Sequence, residues 1–190
     1  MNFLAKKITL FFIRKNQIAP DDYEVYVYCF ELMISSIINT IILIVGALVS
    51  HLYIETIIFA VALIISRKIF GGFHAKTHGG CLLLLVASYS IFVLSFYVIS
   101  EDVLCVISIV ISVLIILPII FCAPVSHPNN PLPDKRVKQY KIISVMIAVF
   151  TLLISSLSFV CVFQRIGYVF AFPILCSAIA MVAGKKCYKK

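Results

Sequence analysis

The residues best suited to chemistry lie close together in one glycine-rich segment. Residues 67–81 read RKIFGGFHAKTHGGC and contain His74, His78 and Cys81. A cysteine attacks a carbonyl carbon as its thiolate, and a neighbouring imidazole can take the thiol proton. Cys81 also begins an apolar run, which predicts a place in the first turn of a helix, where the partial positive charge favours an anion. The pattern therefore predicts a cysteine nucleophile served by a histidine base.

Two other interpretations of these residues stay open at this point. His74 and His78 are four residues apart, so on a helix they share one face, and with Cys81 they would offer three ligands to a catalytic zinc ion. Against zinc, Gly79 and Gly80 interrupt such a helix, and the segment holds no carboxylate. In the third interpretation Cys81 is simply the first apolar residue of a helix.

The composition indicates where this segment must lie. Of the 190 residues, 63% are hydrophobic and 13% are charged, whereas soluble domains contain about 45–50% and about 25%. The sequence therefore predicts an integral membrane protein and excludes a large soluble domain. The net charge of +8 comes from clusters between apolar runs, so we expect no nucleic-acid partner, which would need one basic surface with exposed aromatics. The odd count of seven cysteines suggests no disulfide framework.

Six apolar runs predict an all-α fold, a bundle of about six transmembrane helices. The runs cover residues 32–50, 53–66, 81–100, 103–123, 142–163 and 166–183. The second run is short and carries Glu55, so it is the weakest predicted span. With the N-terminus inside, 15 of the 16 Lys and Arg residues fall on the inner side, as the positive-inside rule requires. We expect a multi-pass cell-membrane protein with both termini and the 67–80 loop in the cytoplasm.

We expect residues 1–190 to form one membrane-embedded domain with three segments outside the spans. Residues 1–31 begin with an amphipathic helix near residues 2–15, which would lie on the bilayer or pack on the bundle. Residues 67–80 form the candidate catalytic loop, and residues 124–141 form a Pro-rich basic loop. The cations of that second loop, here called the 135–141 cluster, are Lys135, Arg136, Lys138 and Lys141. They would attract an acidic peptide or would only set the topology.

Small polar residues recur on one side of two predicted spans. Because polar groups in hydrocarbon turn inward, we expect these residues to form helix contacts. They are Ser35, Ser36, Asn39 and Thr40 in the first span, and Ser108 and Ser112 in the fourth.

The glycine-rich segment closely resembles the signature of the accessory gene regulator B (AgrB) family, the membrane cysteine endopeptidases of Gram-positive quorum sensing. The pattern R-x4-G-x-H-A-K-x4-C is met by Arg67, Gly72, His74, Ala75, Lys76 and Cys81. The chain length, the multi-span layout and the loop APVSHPNNPLP followed by basic residues are also similar. The resemblance implies that Cys81 is the nucleophile, that His74 is its base, and that Arg67, Gly72 and Lys76 are supporting positions.

The resemblance also implies a substrate and a partner. The substrate would be an AgrD-like pro-peptide with an amphipathic leader, a central signal segment and an acidic tail, which the 135–141 cluster would hold. The tail would leave as an acyl-enzyme forms on Cys81, and ring closure would give a thiolactone or lactone. No metal or other cofactor is implied, and a homodimer is favoured. The alternatives are a small transporter or peptide exporter and, third, a zinc-dependent membrane hydrolase.

Overall fold

Seven α-helices make up almost all of the described part of the chain. The computed structural model describes residues 2–71, 78–125, 133–160 and 165–188, without the side chains of residues 78–79, 134 and 187–188. A short 3₁₀ turn at Pro20–Asp22 precedes the second helix. The helices are α1 (Asn2–Arg14), α2 (Tyr23–Ser50), α3 (Tyr53–Phe70), α4 (His78–Val98), α5 (Glu101–Cys122), α6 (Asp134–Val160) and α7 (Arg165–Tyr188).

The predicted all-α membrane fold is confirmed. Within the described residues, α2, α4, α5, α6 and α7 are long and apolar enough to cross a bilayer. The helix at the second predicted span, α3, has 18 residues. It is about 27 Å long at 1.5 Å per residue, which is close to the thickness of the hydrocarbon core. It is more polar because Glu55 lies in its first turn and Arg67 and Lys68 lie in its last. It is not among the five helices named above, so the span predicted over residues 53–66 stays a prediction.

The contacts divide the chain into two compact units. The first contains residues 1–49 and 75–87, and the second contains residues 50–74 and 88–190. In the first unit, α1 packs against α2 through stacked rings of Phe12 and Phe30, whose centroids are 5.6 Å apart. Ala5 and Thr9 of α1 are fully buried.

Aromatic side chains form the core of the second unit. Phe92 is fully buried on α4, and its ring centroid lies 4.7 Å from that of Phe59 on α3 and 6.0 Å from that of Tyr168 on α7. The hydroxyl groups of Thr56 and Tyr89 lie 2.7 Å apart beside this cluster. Ring contacts and one buried polar pair thus join three helices at this level of the unit.

Buried serines line the other helix contacts of the second unit. Ser108 and Ser112 of α5 are fully buried, and Ser112 Oγ lies 2.9 Å from Ser155 Oγ on α6. Ser66 on α3 and Ser177 on α7 make a similar pair at 2.6 Å. Small polar residues let helix backbones approach closely and hydrogen-bond across the contact. The prediction of a helix contact is therefore confirmed for Ser108 and Ser112.

The same prediction is wrong for part of α2. Ser35 is buried, but Ser36 and Thr40 are exposed. Thr40 Oγ1 donates a hydrogen bond to the Ser36 carbonyl oxygen at 2.9 Å. Because the hydroxyl group is satisfied within its own helix, it can face outward in an apolar environment.

Two contacts bring the C-terminal ends of α3, α5 and α7 to one end of the second unit. The Val125 N–H donates to the Phe70 carbonyl oxygen at 2.9 Å, and Lys185 Nζ donates to the Phe121 carbonyl oxygen at 2.8 Å. A cation is favourable beside the last carbonyl groups of a helix. We call this end the basic end, because it also holds Arg67, Lys68, Lys186 and the 135–141 cluster.

The opposite end of the second unit has a different charge pattern. Arg165 and Glu101 form an ion pair there, with Nη2 and Oε1 2.6 Å apart. Glu55 and Asp102 lie in the first turns of α3 and α5 at this end. The segregation of charges that the sequence predicts along the chain is therefore present in space within this unit.

Candidate active site

Cys81 lies in the N-terminal turn of an apolar helix. It is the fourth residue of α4, which begins at His78, and its side chain is half-buried. The N–H groups of a first helical turn point toward the N-terminal end and give that end a partial positive charge. The predicted place of Cys81 in the first turn of a helix is confirmed, and its role as a nucleophile stays a prediction.

Three of the predicted site residues lie outside the described part of the chain. They are the candidate base His74 and the motif residues Gly72 and Lys76. The side chain of His78, which the zinc interpretation requires, also lies outside it. The pairing of His74 with Cys81 therefore stays a prediction.

The motif arginine, Arg67, belongs to a polar region between α3 and α7. It is half-buried in the last turn of α3. Ser66, which directly precedes Arg67 on α3, forms a hydroxyl pair with Ser177 on α7, and the two Oγ atoms are 2.6 Å apart. Arg67 is therefore held against the bundle, unlike the exposed Lys68 beside it.

Gly71 joins the two loops that the sequence marks as functional. It follows α3 with φ +67° and ψ −157°, a conformation that only glycine adopts readily. It also pairs with Val125 in an isolated parallel bridge, and a Cβ at this position would overlap the Val125 carbonyl oxygen. Gly71 and Val125 directly precede residues 72–77 and 126–132. The candidate catalytic loop and the Pro-rich loop therefore leave the basic end from one point.

Gly71 was not among the predicted site residues, which included its neighbour Gly72 instead. One local signal was present, because glycine directly after a helix is a common C-terminal cap. Its partner Val125 is 54 residues away in the chain (125 minus 71), and no short-range pattern indicates that pairing.

The 135–141 cluster occupies the first two turns of α6. All four of its side chains, those of Lys135, Arg136, Lys138 and Lys141, are exposed. This segment precedes the apolar run that starts at residue 142. The cluster thus presents four exposed positive charges at the start of α6.

An apolar groove of about 270 Å³ runs between α3, α6 and α7. Among its lining residues, the polar side chains are Ser66 and Thr151, and both donate to carbonyl groups of their own helices. The other lining residues are Ile57, Ile58, Val61, Ala62, Ile65, Ile147, Phe150, Phe170 and Ile174. The groove holds no acid, base or thiol, so the candidate chemistry lies elsewhere.

These features define an integral membrane protein of apolar helices. One helix has a cysteine at its N-terminus, and two loops begin at the basic end of the second unit. The chain belongs to the accessory gene regulator B (AgrB) family, whose model matches residues 5–181, nearly the whole chain. The family is known for processing quorum-sensing propeptides. No curated protein and no solved structure matches the chain significantly.

Proposed function

We propose that this chain is a membrane cysteine endopeptidase that removes the C-terminal tail of an AgrD-like pro-peptide and closes the signal segment into a ring. The observation that carries the proposal is the position of Cys81 in the first turn of α4. Membership of the family over residues 5–181 supports a peptide-processing role. The helix N-terminus supports the choice of Cys81 as the nucleophile.

The first step forms a thioester on Cys81. His74 takes the thiol proton, and the thiolate attacks the carbonyl carbon that joins the signal segment to the tail. The tetrahedral intermediate collapses with cleavage of the C–N bond, and His74 returns the proton to the leaving amine. The tail departs as a free peptide, and the signal segment stays bound to Cys81 as an acyl group.

The second step transfers the acyl group within the substrate. A cysteine thiol or serine hydroxyl in the signal segment loses its proton to His74 and attacks the thioester carbon. The bond to Cys81 breaks, the Cys81 sulfur recovers a proton, and a thiolactone or lactone ring results. Cyclisation requires that water be kept from the thioester, and a site beside apolar helices would favour this.

The 135–141 cluster supplies the proposed binding site for the tail. Its four exposed cations have the opposite charge to an acidic peptide, and they lie at the basic end where the two loops begin. Exposed charges act mainly through attraction that salt weakens. The cluster would therefore raise affinity for the substrate more than it would raise the rate of the bound substrate.

Co-expression with the candidate pro-peptide tests the proposal. The peptide mass is followed for the wild type and for Cys81→Ala, His74→Ala and His78→Ala, with Cys29→Ala as the matched cysteine control because Cys29 is exposed on α2. We expect Cys81→Ala and His74→Ala to abolish cleavage and the other two variants to retain it. Brief treatment with hydroxylamine should release a signal-segment adduct from the wild type and none from Cys81→Ala. Full cleavage by Cys81→Ala would refute the mechanism, and loss of cleavage in His78→Ala together with bound zinc would favour the hydrolase alternative.

A further inference from the structure

The N-terminal helix α1 has two faces of different chemistry. Its inner face is packed inside the protein, since Ala5 and Thr9 are fully buried and Phe12 stacks on Phe30. Its outer face exposes large apolar side chains, among them Phe3 at 70% and Phe11 at 57%. Leu4 and Leu10 are also exposed on this helix. Packing within the protein thus uses only part of α1.

Positive charges are interleaved with these apolar side chains. Lys6, Lys7, Arg14 and Lys15 are all exposed, and residues 2–15 contain no Asp or Glu. Lys7 Nζ lies 4.6 Å from the centroid of the Phe3 ring, and Lys15 Nζ lies 6.0 Å from that of the Phe11 ring. Long basic side chains that lie along apolar rings can bury their stems while their charged groups reach a polar layer. The surface suits a boundary between apolar and anionic material.

The spacing of the cations restricts how α1 can lie against a bilayer. Lys6 and Arg14 are eight residues apart, which is about 12 Å along a helix axis. The polar layer on each side of the hydrocarbon core is only about 5–8 Å thick. If the helix stood perpendicular to the membrane plane, either Lys6 and Lys7 or Arg14 and Lys15 would lie in hydrocarbon or away from the headgroups. Both pairs reach the phosphate layer together only if α1 lies nearly in the membrane plane.

We infer that the outer face of α1 binds the anionic headgroup layer of the bilayer in which the protein is embedded. Phe3 and Phe11 enter the acyl boundary, and the four cations contact lipid phosphates. The inner face, through Phe12, couples this contact to α2, the adjacent membrane-spanning helix. The lipid surface is chosen over a protein partner because cations spread over the whole length of the face match a continuous sheet of negative charge. This inference does not depend on the proposed enzymatic function.

The chain contains no tryptophan, so a single introduced tryptophan can serve as an optical reporter. Phe11→Trp places a single reporter on the outer face, and Phe12→Trp is the matched control on the inner face. Each variant is reconstituted in nanodiscs of phosphatidylcholine alone or mixed with phosphatidylglycerol, with brominated lipid as the quencher. We expect quenching of Trp at position 11 to be about twofold or more greater in the anionic discs, and the difference to shrink at high salt. The control should show no dependence on lipid charge.

A second variant identifies the groups responsible. Replacing Lys6, Lys7, Arg14 and Lys15 by glutamine in the Phe11→Trp background should remove the dependence on lipid charge while leaving the helical content unchanged by circular dichroism. Equal quenching of position 11 in the two lipid mixtures would overturn the inference. So would stronger quenching at position 12 than at position 11, or shielding of position 11 that grows with protein concentration, which would indicate a second copy of the chain as the occupant.

Discussion

Replacing Gly71 by alanine should separate the two loops at the point where they begin. Gly71 has φ +67° and ψ −157°, and a non-glycine residue in this region costs on the order of 1–3 kcal/mol. The added Cβ would also overlap the Val125 carbonyl oxygen. The substitution must therefore distort the chain locally or push Val125 away.

The size of the effect follows from these contacts. Displacing Val125 would also break its hydrogen bond to the Phe70 carbonyl oxygen, at 2.9 Å in the structure, which is worth about 1 kcal/mol. Together the two terms disfavour the native arrangement of the loop origins by about 2–4 kcal/mol, or about 30-fold to 1,000-fold in its equilibrium constant. If the proposed reaction needs both loops in place, Gly71→Ala should lower the rate of pro-peptide cleavage by about 30-fold or more.

The assay compares Gly71→Ala with Gly167→Ala in purified protein. At Gly167 a Cβ would meet Ser108 Oγ at 2.7 Å and Ser155 Cα at 2.9 Å, so this control overpacks the helix bundle at a cost of about 1–3 kcal/mol. Both variants should unfold at lower denaturant concentration than the wild type. Only Gly71→Ala should process slowly under conditions in which each protein is folded. A tenfold change in rate corresponds to about 1.36 kcal/mol. If Gly71→Ala cleaves within about twofold of the wild-type rate, the pairing with Val125 is not needed to hold the loops for catalysis.

Three further outcomes are expected. Replacing the four residues of the 135–141 cluster by glutamine should raise the KM for a pro-peptide with an acidic tail and make that KM less dependent on salt. The kcat should stay near the wild-type value. An unchanged KM would argue that these charges only set the topology. A double-mutant cycle on Ser112→Ala and Ser155→Ala should give a coupling energy of about 0.6 kcal/mol in unfolding measurements, because each hydroxyl contact across membrane helices is weak; a value above about 2 kcal/mol would contradict this view. Glu101→Gln should lower stability by less than about 1 kcal/mol, since the ion pair with Arg165 is partly exposed, and should leave cleavage unchanged.

Hydropathy predicted the membrane helices well but not where they end. The fifth predicted span begins at residue 142, whereas α6 begins at Asp134. Hydropathy detects the part of a helix that fits hydrocarbon, and a helix can continue into the polar layer with charged residues such as those of the 135–141 cluster. The α3 helix likewise extends past residue 66 to Phe70 and includes Arg67. The helical turns that hydropathy did not predict are the ones that contain Arg67 and the 135–141 cluster.

The candidate site was predictable only in its local part. The place of Cys81 before an apolar run was enough to predict the first turn of a helix. The expectation that Gly79 and Gly80 interrupt a helix is wrong, because α4 already begins at His78 and includes both glycines. The Gly71–Val125 bridge and the pairing of Ser66 with Ser177 were not, because they join residues far apart in the chain. Such contacts follow from how helices pack, and single-helix periodicity shows which residues turn inward without showing what they meet. The exposed Ser36 and Thr40 mark another limit, because a hydroxyl bonded to its own helix need not turn inward.

The buried hydroxyl groups have a consequence for the biogenesis of this protein. Ser66, Ser108, Ser112, Ser144, Thr151, Ser158 and Ser177 each donate to a carbonyl group three or four residues earlier in the same helix. Each group is therefore satisfied as soon as its helix forms, before any neighbour arrives. The helices can leave the translocon one at a time without carrying bare hydroxyl groups into lipid. The same hydroxyls then guide the later docking of α5, α6 and α7, so insertion and assembly can proceed as separate stages.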